Sequence, residues 1–312
     1  MAVAVAAIAG RPMTVPNRLR DVIFIVLGTS MGSALSPQTL VDAQSWPFSI
    51  LLLLVSVAAT MGAGSWYLRT CHGWDAATAR LSSTPGALSA VLILAGSTTA
   101  NFPVVALSQT MRQFVLISLM PVALLLGESR VPTTAGPSAP LLDMGYMLIA
   151  GSVGAFIASL IKMPGGLLIG AMLASSMMHV TGIVSGRLDP NLLTIAYVLM
   201  GCLIGSRFRG TKIVEMRRVI LPAFGAIGIT VGVSLVFAVI CHAILGLPFP
   251  EIWLAFAPGG VEAMTVMAYA LNMDPSYVSA HHVIRLLALI MLSPIWTASL
   301  MKLAEPTGLP KA

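Results

Sequence analysis

The stretch APGGVEAM at 257–264, with HHVIRLLALIMLSP at 281–294 after it, decides the fold. It puts a Pro-Gly-Gly break and a carboxylate, Glu262, inside one apolar run, and an arginine, Arg285, in the middle of the next. Proline lacks an N–H and clashes with the preceding turn, and glycine lowers helix stability, so Pro258, Gly259 and Gly260 predict a helix that stops and restarts. The carbonyls before such a break and the N–H groups after it need partners. At membrane depth, irregular backbone survives only where it lines a cavity or lies buried in protein.

The same arrangement occurs 173 residues earlier. Gly28, Gly32, Ser33, Pro85, Gly86, Arg112 and Pro121 match Gly201, Gly205, Ser206, Pro258, Gly259, Arg285 and Pro294 with no gap. These are residues that a lipid-embedded helix uses sparingly: Gly for close approach, Pro for a break, Arg at a cost. An internal repeat of this kind points to a transporter-like architecture, all-α and polytopic, with two repeats and broken or re-entrant helices at Pro85-Gly86 and Pro258-Gly259.

Composition agrees. Of the 312 residues 57% are hydrophobic and 9% charged, with a mean hydropathy of +0.93, against about 25% charged in soluble domains. The net charge of +6 comes from basic residues grouped between apolar segments. That grouping fits lipid headgroups and topology, with the bilayer and not nucleic acid as the partner. Cys71, Cys202 and Cys241 have no metal-ligand spacing, and no His-x3-His or Cys-x2-Cys pattern occurs, so no metal and no cofactor are expected.

In the second copy the apolar elements fall at 142–161, 164–181, 190–207, 219–246, 250–272 and 275–301. In the first they fall at 19–35, 46–69, 76–99 and 103–126, after an apolar stub at 2–10. By the 173-residue ruler the chain is expected to lack one and a half helices at its start, the natural start lying upstream of Met1. The division is a first membrane repeat at 1–127, a linker at 128–141, a second repeat at 142–303 and a tail at 304–312. Trp46, Trp66 and Trp253 suit an interfacial belt.

Loop charge gives the orientation. In the first copy the basic loops hold Arg11, Arg18 and Arg20, then Arg69 and Arg80. In the second copy the charge moves to the loop holding Arg207, Arg209, Lys212, Arg217 and Arg218. The charged side has swapped, so the positive-inside rule makes the repeats inverted. Inversion needs an odd number of crossings, which makes the Pro-Gly element the re-entrant one and gives about nine spans, with Lys162, Lys302 and Lys311 inside. The segment opening with MPGG at 163–166 is the alternative re-entrant element.

The candidate site consists of Pro85, Gly86, Ser89, Pro258, Gly259, Gly260, Glu262, Arg112, Arg285 and His281. Glu262 is the only acidic residue well inside an apolar segment, and the dipole of the restarted helix favours it there, as a proton or cation site or as a cap. Its counterpart is Ser89. Arg112 and Arg285 have two readings: an oxyanion clamp, or a structural one in which Arg285 neutralises Glu262 and Arg112 ties down freed carbonyls. His281 stands four residues before Arg285, as Ser108 does before Arg112; it could relay protons, or the pair His281–His282 could be interfacial.

These motifs, with STPGALSA at 83–90 and SQTMRQFVLISLMP at 108–121, resemble the duplicated AbrB-type integral membrane family of Gram-negative bacteria. That family is separate from the soluble DNA-binding regulator of similar name. The resemblance implies a fold similar to the cation–proton antiporter and anion transporter superfamily, often dimeric, and a multi-pass protein of the bacterial inner membrane. Members are labelled regulators of gene expression or, loosely, ammonia monooxygenases. The residues favour a secondary-transporter-like permease for a small solute or ion, anionic on one reading of the arginines, and not an enzyme. The alternative is a membrane protein that regulates gene expression indirectly, without transport. A copper monooxygenase is disfavoured, because the ligands are missing.

Overall fold

A computed structural model describes residues 15–33, 46–86, 88–96, 98–126, 138–163, 165–206 and 213–304, and within those limits the apolar runs are helices. The twelve helices are α1 (Asn17–Gly32), α2 (Trp46–His72), α3 (Ala76–Ser83), α4 (Leu88–Gly96), α5 (Phe102–Leu126), α6 (Leu141–Leu160), α7 (Gly166–Val180), α8 (Pro190–Ser206), α9 (Ile213–Leu245), α10 (Phe249–Phe256), α11 (Val261–Ala270) and α12 (Pro275–Ala304). No strand occurs among the described residues. The stub at 2–10, Arg11, most of the linker, Arg207, Arg209, Lys212 and the tail from 305 lie outside them.

Five helices are long and apolar enough to cross a membrane: α2, α5 over Phe102–Leu124, α6, α9 over Val219–Leu245 and α12 over Pro275–Leu292. Of the nine expected spans, α7 and α8 are apolar but shorter, and α1, with 16 residues, is less apolar, carrying Arg18, Arg20 and Asp21 at its start. The outer surface is lipid-like in character. Along α6, Leu142, Ile149, Phe156 and Leu160 are all exposed on a helix that buries only a narrow stripe around Met147, Gly151, Ala155 and Ala158.

That stripe is made of small residues because apolar burial gives little drive between helices in lipid; close backbone packing replaces it. Where α6 meets α7, a Cβ placed on Gly154 or on Gly170 would lie 2.3 Å from the other's carbonyl oxygen. Any side chain there would force the two helices apart. α1 packs against both α7 and α6, and α8 on α1. The second group is built on α2 and α9, which carry α3 and α10 beside them.

The two broken elements are α3–α4 and α10–α11. Each half-helix before a break is tied to the start of the helix after it. Asn101 donates its backbone N–H to Thr78 Oγ1 at 2.8 Å, and 173 residues on Asp274 donates to Glu251 Oε1 at 3.1 Å. Asn101 and Asp274 also cap α5 and α12, accepting from Val104 N and Ser276 N. Each broken element also packs on the long helix of the other repeat: α3 touches α12, and α11 touches α5.

Candidate functional site at the two helix breaks

At the first break α3 ends at Ser83, Thr84 turns to an extended conformation, and Gly86 takes φ +95° before α4 begins at Leu88. At the second, α10 ends at Phe256 and an extended Gly260 opens α11. Pro85 and Pro258 are buried within these interruptions.

Both arginines are spent on the freed carbonyls. Arg112 lies fully inside, donating Nη1–H to Ser82 O at 3.3 Å and Nη2–H to Thr84 O at 2.9 Å. Arg285, with no exposed surface, donates Nη1–H to Ala257 O at 2.8 Å and Nη2–H to Gly259 O at 2.7 Å. Thr84 and Ala257 are counterparts under the 173-residue shift, so the repeat extends to individual hydrogen bonds.

A third residue completes each set. Gln109 donates to Leu81 O at 2.7 Å and to Thr84 O at 3.0 Å, and its Oε1 accepts from Arg112. His282 replaces it in the second copy. Arg285 can only donate, so His282 Nδ1 accepts at 2.7 Å, and the proton sits on Nε2, which donates to Leu254 O at 3.1 Å. An amide and a neutral imidazole thus serve one purpose: an acceptor for the arginine and a donor for the carbonyl one turn further back.

The expected ion pair between Arg285 and Glu262 is not made. Glu262 is the second residue of α11, half-buried, and has no hydrogen-bonding or ionic partner among the described residues. His281 and His282 are both fully buried in the protein. His281 donates Nδ1–H to Tyr277 O at 2.8 Å and meets Ser49 Oγ through Nε2 at 2.7 Å, in a ring cluster with Trp46 and Tyr277. The Ser89 side chain lies outside the described residues.

The breaks are neighbours. A Cβ on Gly86 would lie 3.1 Å from Arg285 Nη2, so the first repeat's break packs on the second repeat's arginine. One turn beyond Arg285, Leu289 lines a cavity of about 920 Å³ together with Met61, Trp66, Arg69, Trp74 and Arg80. No group of three or more His, Cys, Asp or Glu among the described residues could hold a metal ion.

Gln109 and Ser82 are residues that sequence reasoning passed over, and His282 entered it only as one of a pair that could be interfacial, not as a partner of Arg285. The signal for Gln109 and His282 was available, because each precedes its arginine by three positions in its own copy.

A fold that is all-helical among the described residues, with five apolar helices long enough to cross a membrane and paired helix breaks, has the character of a membrane protein. The model of one family, described as Transition state regulatory protein AbrB, matches residues 1–301, and the chain belongs to that family. It is 27% identical over 291 residues to "Uncharacterized protein YhjN" of Bacillus subtilis (strain 168), covering 86% of this chain and 75% of the relative. It is 24% identical over 283 residues to "Putative regulator AbrB" of Escherichia coli (strain K12), covering 86% and 79%. No solved structure matches the chain.

Proposed function

We propose that this protein is a secondary-transporter-like permease of the bacterial inner membrane, not an enzyme, moving a small anionic solute. The observation that carries the reading is the close approach of two helix breaks, each held by a buried arginine, beside a half-buried carboxylate with no partner among the described residues. A frame held this rigidly around interrupted backbone is the arrangement in which transporters seat solutes and coupling ions. With both arginines tied to carbonyls, Glu262 is the group left free to take up and release a proton or cation.

The finer architecture belongs to the same proposal: inverted repeats, about nine spans, α3–α4 and α10–α11 as re-entrant elements, and assembly as a homodimer without nucleic acid. On the loop-charge orientation, Arg69 and Arg80 lie on the cytoplasmic side. The 920 Å³ cavity they line is then an inward vestibule whose charge suits an anion. The test is flux in proteoliposomes across a panel of organic and inorganic anions, with and without a proton gradient. Glu262→Gln should abolish flux while the protein still inserts and folds. A null panel, with Glu262→Gln indistinguishable from the wild type in every assay, removes the reading.

One observation favours a second reading, in which the protein affects gene expression indirectly and carries no solute: the Escherichia coli relative bears the name of a regulator. Flux in the purified, reconstituted chain separates the two.

A further inference from the structure

Behind the first break lies a small cavity with room for about one water-sized molecule, bordered by Ser82, Ser108, Arg112, Leu68, Ala226 and Ile227 among others. Three buried polar atoms have no partner and belong to residues that border it: Ser82 Oγ, Ser108 Oγ and Arg112 Nε. The three side chains are at most 6% exposed. Arg112 Nε–H is a donor only, and each hydroxyl supplies a donor as well. Three unpartnered donors on residues that border one small space call for an acceptor.

Charge narrows the choice. Arg112 is bonded to carbonyls and to Gln109, and has no carboxylate partner among the described residues. The ion pair found among the described residues, Arg20–Asp21, is at the chain's surface. A buried guanidinium without a counter-charge is costly, and carbonyl dipoles offset only part of that cost. A cation would be repelled here, and a polyatomic anion such as sulfate is too large for the space.

The second repeat provides an internal control. Shifted by 173, the lining residues Leu68, Ser82, Ser83, Ala226 and Thr230 become Cys241, Ala255, Phe256, Leu53 and Val57. Those five belong to one apolar cluster that fills the equivalent position. Ser108 becomes His281, which is engaged with Tyr277 and Ser49. The hydroxyls and the space occur in the first repeat, where they serve no helix anchoring that the second repeat fails to achieve without them.

We propose that this cavity binds a single monovalent anion of chloride size, which neutralises Arg112 and locks the first break in place. The proposal stands independently of solute transport. Its test uses the full chain in detergent or nanodiscs, with chloride as the probe against gluconate at matched ionic strength. Chloride should raise the unfolding midpoint saturably, bromide should do the same, and bromide should give an anomalous peak beside Ser82 and Ser108.

Ser82→Ala/Ser108→Ala keeps every arginine–carbonyl bond and should weaken apparent chloride affinity about tenfold or more through two lost hydrogen bonds. Ser276→Ala, which removes a buried unpartnered hydroxyl elsewhere, should leave that affinity unchanged. A wild-type midpoint indifferent to chloride overturns the proposal, as does a chloride effect that the double variant retains in full. Because the readout is stability and not flux, either this site or the permease reading can fail without the other.

Discussion

The two helix breaks are anchored alike and filled differently. In each, an arginine reaches back to the carbonyls of the interruption, and the residue three positions before it bridges that arginine to the carbonyl one turn further back. Around this shared frame the first break keeps serines and a small space, whereas the second packs Phe256, Ala255 and Cys241 into one apolar core. The lesson is that the residues repeated at 173 hold backbone in place. Whatever distinguishes the halves chemically must come from the positions that do not repeat: Ser82 and Ala255, Ser108 and His281, Ser89 and Glu262.

The largest effect should come from removing an arginine, and the comparison sets the order. Arg285→Met leaves Gly259 O without its donor and His282 Nδ1 unpaired in a site with no exposure. With charge-assisted bonds contributing ~1.5–3 kcal/mol each, the loss should be about 3–5 kcal/mol. Arg112→Met should cost less. Its bonds to carbonyls are longer, and Thr84 O retains Gln109 as a donor. Unfolding midpoints of the two variants in the same detergent check this; equal losses would mean that the frames are not ranked as their geometry indicates.

Glycine substitutions test the same contrast at the next level. Gly86 has φ +95° and faces Arg285, so Gly86→Ala carries both backbone strain and a clash with an anchored guanidinium, together about 1–3 kcal/mol. Its counterpart Gly259 has no such φ, and a Cβ there meets only the side chain of Met264, a flexible neighbour. Gly259→Ala should cost about 1 kcal/mol. Thermal denaturation of the pair should show Gly86→Ala as the worse variant by a clear margin; the reverse order would show that Met264 cannot give way.

Much of the frame was legible in the sequence, for a physical reason. Pro-Gly inside an apolar run can only interrupt a helix, and the helix limits read from 46–69, 142–161 and 275–301 lie within a few residues of those in the structure. Partner choice was not legible. Arg285 and Glu262 looked like a pair because opposite charges in an apolar setting usually meet. The outcome depends on which way the side chains point around the break, and carbonyls leave no mark in a sequence. His281 and His282 were hard to place for a related reason: adjacent residues on one helix face different neighbours, one toward Tyr277 and Ser49, the other toward Leu254 and Arg285. The cavity at Ser82 was invisible because its walls come from α2, α3, α5 and α9 together.

Swapping the bridging residues should have a small effect if the frames are equivalent. His282→Gln installs the first repeat's solution, and its amide can accept from Arg285 and donate to Leu254 O as Gln109 does in its own copy. Its cost should stay within about 1 kcal/mol, whereas His282→Leu leaves a buried carbonyl and a guanidinium N–H unpaired, at about 1–3 kcal/mol. Denaturation curves for the two variants decide it: if Gln is as damaging as Leu, the resemblance between the frames ends at the arginines.

Glu262→Ser gives the second break the residue that the first has at this position, and it should barely affect stability. Glu262 is half-buried near the N-terminus of α11 and has no partner among the described residues, so what is lost is its interaction with the helix dipole, about 0.3–1 kcal/mol. Solute flux, in contrast, should vanish if this carboxylate is the proton or cation site. A large change in one measurement with almost none in the other is what separates a working residue from the frame, since every framing residue named above would shift both. If Glu262→Ser unfolds the protein, the carboxylate belongs with the anchors. The asymmetry between the two breaks would then be structural, and the basis for a permease would have to be sought in the cavity between α2 and α12.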